Sequence, residues 1–281
     1  MPTFATPEPI SATIDLVVGD VHLIAGERDT TTVEVRPSDA SHAADKRVAE
    51  QTKVEYAAGQ LRIKAPRQHG LGIFGRPGSI EVTIGLPAGS NVHGGISVGA
   101  FRAEGRLGEC WLKTSVGNVD LDQAGFLDAK TSGGTVGVDH VAGDAEVSTA
   151  SGRVRLGVIE GTAMVKNSNG DTWIGEVTGE ARISASNGDI AVDHAGAGIT
   201  ATTANGHVRI GEVVRGASTL KTAVGEIEIG LRAGTAAELD VSTRFGKVRN
   251  QLDVSAGPEP SDETAKVLAR TSFGDILIRR S

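Results

Sequence analysis

Aromatic side chains are scarce in this chain: 6 Phe, 2 Trp and 1 Tyr among 281 residues. A conventional core leans on large rings, so the interior here must be filled by small and β-branched side chains. Cysteine is nearly absent. Cys110 stands alone, which excludes an intramolecular disulfide framework and a Cys-cluster zinc site. No apolar run reaches the roughly 18 residues of a spanning helix, so no membrane span is expected. The opening stretch, MPTFATPEPISATIDLVVGD, has neither the basic nor the apolar region of a signal peptide. The expected location is therefore the cytoplasm, with non-classical export left open. Positive charge is not in excess: the net charge is −7, which argues against a broad footprint for nucleic acid.

Glycine is what the chain has in plenty, with 38 residues against only 9 Pro. That is about twice the usual glycine share, and without a G-X-Y period it does not indicate collagen. The glycines are ordered instead. A small-x-Gly-x-β motif recurs at Gly99, Gly117, Gly134, Gly152, Gly170, Gly188, Gly206, Gly225, Gly246 and Gly274. Spacings of 17 to 19 hold as far as Gly225, then stretch to 21 and 28.

Alignment on these glycines gives columns. Two residues after each Gly stand Phe101, Val119, Val136, Val154, Thr172, Ile190, Val208, Ile227, Val248 and Ile276, and mostly apolar residues recur two further on. Five before stand Leu112, Ala129, Val147, Val165, Ile183, Ala201, Leu220, Val241 and Ala269. Three before, Thr dominates: Thr114, Thr131, Thr149, Thr203, Thr222, Thr243 and Thr271. Alternation by two on both sides of the Gly reads as two short strands per repeat, each with one inward face. The column four before the Gly, including Lys113, Lys130 and Lys166, is polar and solvated. It reads as a solvated edge, or as a stripe for an acidic partner.

About 18 residues are too few for a propeller blade. Stacking like columns in register gives an all-β fold, a single parallel β-solenoid (β-helix). The crossover preference makes it right-handed. The expectation is one domain over residues 1–281. Residues 10–95 form irregular first coils with inserted loops at 37–53, where a short helical turn is expected, and at 66–78. Residues 96–281 form the regular coils, with an insertion at 255–265. Thr271 to Ile278 reads as an open edge, blocked by the charges of Arg279 and Arg280.

The stretch Ser186-Asn187-Gly188-Asp189-Ile190-Ala191-Val192, with Ile80 to Ser90 upstream, resembles the bacterial DUF4097 "putative adhesin" family of β-strand-repeat proteins. The resemblance covers nearly the whole chain and implies a repeat architecture. It supplies no catalytic residues.

The candidate interaction residues are those that the repeat leaves unexplained. Asp171 and Asp189 follow their glycines in neighbouring coils. As adjacent carboxylates they can bind Ca²⁺ or Mg²⁺; equally, the Asn-Gly-Asp turns can form an Asn ladder with solvated carboxylates. Asp139-His140 and Asp193-His194 repeat one position three coils apart, too far to share a metal. Trp173 and Trp111 fall in outward columns, where a ring stacks on a sugar, anchors a partner or lies over a turn. Leu71, Ile73 and Phe74 lie in the 66–78 loop, as a recognition segment or an end cap. Cys110 falls in an inward column as an inert thiol. No catalytic, metal or cofactor-binding residue stands out, and no cofactor is expected. The function read from this pattern is a non-enzymatic binding or scaffold protein with a macromolecular partner, protein or glycan, and not nucleic acid. End-to-end polymerisation and a carbohydrate-active β-helix enzyme are the alternatives. Ligand identity and oligomeric state are left open.

Overall fold

A computed structural model describes residues 2–66, 77–252 and 263–281. The chain divides into two compact units, Met1–Asp139 and His140–Ser281. Both are all-β and built of parallel coils. Each regular coil contributes one strand before its glycine and one after it, and each strand pairs with its counterpart in the adjacent coil.

In the first unit, strand Glu109–Val116 lies between Asn91–Val98 and Phe126–Gly133, with Leu112 opposite Gly94 and Ala129. In the second, strand Ala163–Asn169 lies between Ala145–Ser151 and Ala181–Asn187, with Val165 opposite Val147 and Ile183. Like columns therefore stack, as the repeat predicts. The inward residues are fully covered: Val147, Val165, Ile183 and Ala201 are all at 0% exposure. Among the described residues Phe101 is the one fully buried aromatic, and the narrow interior accommodates it opposite a glycine. A Cβ on Gly94 would lie 2.5 Å from the Phe101 ring.

The glycine turns carry the tightest contacts. Gly188 has φ +133°, and a Cβ there would lie 2.2 Å from the carbonyl oxygen of Gly170. The coil below occupies the space that any side chain would need. The threonine column bonds to the same carbonyls. Thr114 donates to the Gly99 carbonyl at 3.1 Å, Thr203 to that of Gly188 at 3.2 Å and Thr222 to that of Gly206 at 2.9 Å. Asn167, the one Asn in this column, donates to Gly152 at 3.0 Å in the same way. These hydroxyls of the column thus satisfy turn carbonyls, whereas the buried Thr149 hydroxyl makes no such bond.

Coil order in space departs from chain order in both units. Strand Ser11–Gly26 runs straight through both sheets. It is flanked on one side by Gln60–Lys64 and Ile80–Pro87, and on the other by Asn91–Val98 and Phe101–Arg106. Outside the first two of these flanking strands lie antiparallel ones: Lys53–Ala57 on Gln60–Lys64, Thr30–Pro37 on Ile80–Pro87, and Thr3–Ala5 outermost. The 37–53 insertion holds a helix, Ala43–Gln51. Residues 67–76 and 253–262, most of the other two insertions, lie outside the described residues. Among the described residues no helix is long and apolar enough to cross a membrane.

In the second unit the last coil of the chain is not the outermost. Strand Glu263–Phe273 inserts between Gly216–Val224 and Thr235–Phe245, and Ile276–Arg280 between Ile227–Leu231 and Val248–Asn250. This corrects the expectation of an open edge at Thr271 to Ile278. Val267, Ala269, Ile276 and Ile278 are at 0% exposure because the 235–250 coil covers them. Arg279 and Arg280 do not guard an edge. The Arg279 Nε donates to Glu228 at 2.9 Å, and Arg280 holds the carbonyls of Arg232 and Thr235, each at 2.9 Å.

The helix is anchored by Asp45, which is fully buried. Its carboxylate accepts from His42 Nδ1 at 2.6 Å and from the Ser79 and Asp39 amides, each at 3.1 Å. Burial pushes its pKa up, but these bonds together outweigh that and hold it below the usual carboxylate value.

Two predictions follow from this packing. Gly188→Ala adds positive-φ strain to a backbone clash and should cost roughly 3–5 kcal/mol. Gly133→Ala, with nothing within 4 Å of the new methyl, should stay within about 0.5 kcal/mol of the parent; urea melts of both variants compare them. Asp45→Ala orphans two part-buried amides and should cost about 1–3 kcal/mol at pH 7. Because the folded pKa is depressed, the stability from the ionised carboxylate is complete above the unfolded value of about 3.9 and is lost as pH falls through the folded one. The gap between parent and variant melts should narrow in that acid range.

Candidate functional site

The Asn-Gly-Asp turns form two side-chain ladders. Asn187 Nδ2 donates to Asn169 Oδ1 at 2.8 Å, and Asn205 Nδ2 to Asn187 Oδ1 at 2.8 Å. One residue past the glycines, Asp171 Oδ1 accepts the Asp189 amide at 3.2 Å, and Asp189 Oδ1 accepts the His207 amide at 2.7 Å. His207 Nδ1 accepts the Glu226 amide at 3.1 Å in turn. The first unit uses the same device: Asn118 Oδ1 accepts the Thr135 amide at 2.9 Å, and Asp20 Oδ1 that of Ala100 at 2.8 Å. One oxygen of Asp171 and one of Asp189 therefore fixes the next turn. Among the described residues no group of three or more His, Cys, Asp or Glu side chains is placed to hold a metal ion. His140 pairs with Glu160 at 3.0 Å and His194 with Glu212 at 3.7 Å, each on the surface.

Trp173 stands on the outer face of strand Thr172–Val177, between Arg155 and Ala191 of the adjacent coils. The Arg155 guanidinium lies 5.1 Å from its ring centroid. Its Nε1 donates to Asp193 Oδ2 at 3.2 Å. One ring face and the only polar atom of Trp173 are thus engaged within the chain.

Trp111 has a different setting. On the outer face of strand Glu109–Val116 it stacks on His93, with centroids 4.2 Å apart and planes at 10°. Phe126 lies 5.6 Å away on the same face at 48°. The structure thus gathers three rings where the sequence singled out one. His93 and Trp111 sit 18 residues apart in one column, which was the available signal. Phe126 is reached only by the register that sets Asp128 opposite Trp111.

Beyond these rings, the outer face of the first unit carries a polar concavity of about 630 Å³. It is lined by Asp20, His22, Glu81, Arg102, Glu104 and Asp120. His22 Nε2 meets Glu104 at 3.1 Å. Burial raises the Asp120 pKa above its usual value, against the lowering effect of Arg102. Sequence columns did not reveal this group, because three of its residues come from the irregular coils. Cys110 is fully buried, and burial pushes its thiol up to about 12. In the polar column, Lys130 pairs with Asp128 at 2.8 Å. Leu71, Ile73 and Phe74 lie outside the described residues.

Among solved structures, the chain resembles a "putative adhesin" from Parabacteroides merdae, at 11% identity and TM-score 0.43, covering 99% of this chain and 94% of that one. A "putative lipid binding protein" from Parabacteroides distasonis aligns at 12% identity and TM-score 0.41, covering 98% and 95%. A "putative adhesin" from Bacteroides fragilis aligns at 12% identity and TM-score 0.31, covering 99% and 95%. No curated protein matches the chain. The model of the family described as Toastrack DUF4097 matches residues 11–279, the extent of the glycine repeat and its irregular first coils, and the chain belongs to that family.

Proposed function

We propose that the protein is a non-enzymatic binding protein that meets a macromolecular partner, a glycan or a protein, through the outer faces of its sheets. The observation that carries this reading is the His93–Trp111–Phe126 cluster. Inward columns and turns are occupied by packing and by ladders, so recognition falls to side chains standing out from the strands. Aromatic rings grouped on an outer face offer large apolar area at low entropic cost, as binding anchors do. The adjacent column supplies Lys113, which faces Lys130 across the ladder. Trp173 is a second, weaker contact, because Arg155 and Asp193 already hold it. Asp171 and Asp189 retain one oxygen each for hydrogen bonds or a cation at the turn edge. The same turns bind the next coil, so we place them outside the principal contact.

The test is a glycan array and a protein array probed with the parent, Trp111→Ala and Trp173→Ala. Loss of an anchor worth about 2 kcal/mol should weaken the retained ligand roughly 30-fold in Trp111→Ala, with the melting temperature unchanged. Trp173→Ala should weaken it by a smaller factor. A ligand held equally by both variants would overturn the assignment. Conversion of a retained ligand to product, seen by mass spectrometry, would overturn the non-enzymatic reading.

A further inference from the structure

Among the described residues, the outermost coil of the second unit is bonded on one side only. Thr235–Phe245 pairs with Glu263–Phe273, and Val248–Asn250 with Ile276–Arg280. Among the described residues no strand lies on the other side. The Phe245 carbonyl bonds inward to the Gly274 amide at 3.0 Å. The alternation of a parallel ladder then turns the backbone groups of Ala236, Glu238, Asp240, Ser242 and Arg244 outward, away from the stack. This edge is eleven residues long and contains neither Pro nor Gly.

Its apolar surroundings are also uncovered. Leu239 and Val241 are half-buried, whereas Val267 and Ala269, their partners one coil inward, are at 0% exposure. Phe245 and Phe273 stack at 4.9 Å and are 59% and 52% exposed, with Val248 at 42%. The first unit treats its outer coil differently, laying antiparallel strands Lys53–Ala57 and Thr30–Pro37 over it.

The edge is complementary to itself. Its outward side chains run Glu238, Asp240, Ser242, Arg244, acid at one end and base at the other. Antiparallel pairing of two such strands, centred on Val241, sets Glu238 across from Arg244 of the second copy. Asp240 then faces Ser242. The two-fold axis makes each of these contacts twice. Centring on Asp240 instead sets two carboxylates face to face, which is unfavourable. Centring on Ser242 sets Asp240 across from Arg244 but leaves Glu238 opposite Gly246, without a partner, so only one of the two acids is matched. A shift by one residue turns the inner column to the wrong face. Glu238 and Asp240 have exposed partners in Lys266 and Arg270, each at 3.2 Å. Such surface pairs are weak enough to share a carboxylate.

We propose that strand Thr235–Phe245 docks a second copy of the chain, strand to strand and antiparallel about a two-fold axis at Val241, so that the protein is a closed dimer. An isologous contact of this kind uses up both edges and cannot propagate into a filament. The proposal is independent of what the outer faces bind.

Sedimentation velocity over a concentration series of the full chain tests it. The expected species are monomer and dimer only. Ser242→Pro removes an outward amide without removing a bond within the chain and should abolish the dimer, with circular dichroism and melting unchanged. Arg244→Glu should weaken the dimer about tenfold, and Glu238→Arg combined with Arg244→Glu should restore it. A parent that stays monomeric throughout, or assembles beyond a dimer, overturns the proposal. So does a folded Ser242→Pro variant that dimerises like the parent, or a double charge reversal that fails to rescue.

Discussion

The contact on which the rest of this structure depends is the approach of one glycine turn to the next. The carbonyl oxygen of Gly170 occupies the place where a Cβ of Gly188 would be. That approach lets consecutive coils close to strand-pairing distance at the turn as well as along the strands. It leaves a carbonyl facing the interior, and a side chain of the column three residues before the glycines bonds to it, as Thr203 does to Gly188 and Asn167 to Gly170. Glycine and threonine columns are therefore one device, in which a turn too tight for a side chain is satisfied by a hydroxyl from the coil beside it.

The narrow interior follows from the same spacing. Two strands facing each other across a small lumen leave room for Val, Ile, Leu and Ala, and a ring enters only where the opposite residue gives way. Phe101 opposite Gly94 is that case. Trp111, Phe126 and Trp173 stand on outer faces instead, and Phe245 and Phe273 are exposed beside their turns.

Regularity also decides where recognition can reside. The Asn and Asp ladders look, by residue type, like a cation site, yet Asp189 serves the amide of the next turn. What remains free of the repeat is a ring cluster on an outer face and an edge strand at the end of the second unit. Both consist of residues that depart from their columns: an aromatic where neighbours are polar or small, and a coil that no described strand covers.

The sequence by itself determined the fold class, the coil length, the inward columns and the turn positions, because each rests on contacts between like positions of neighbouring repeats. It also determined that Cys110 is inward and that Trp111 and Trp173 are outward. Tertiary structure alone decided the order of coils at the chain ends. Insertion of Glu263–Arg280 beneath Thr235–Asn250 obeys the same column pattern as a simple succession would, so periodicity is blind to it. It likewise decided the setting of each tryptophan, since stacking on His93 or capture by Arg155 depends on lateral register and rotamer. The repeat specifies which face a residue occupies; only the packed coils specify its neighbours there.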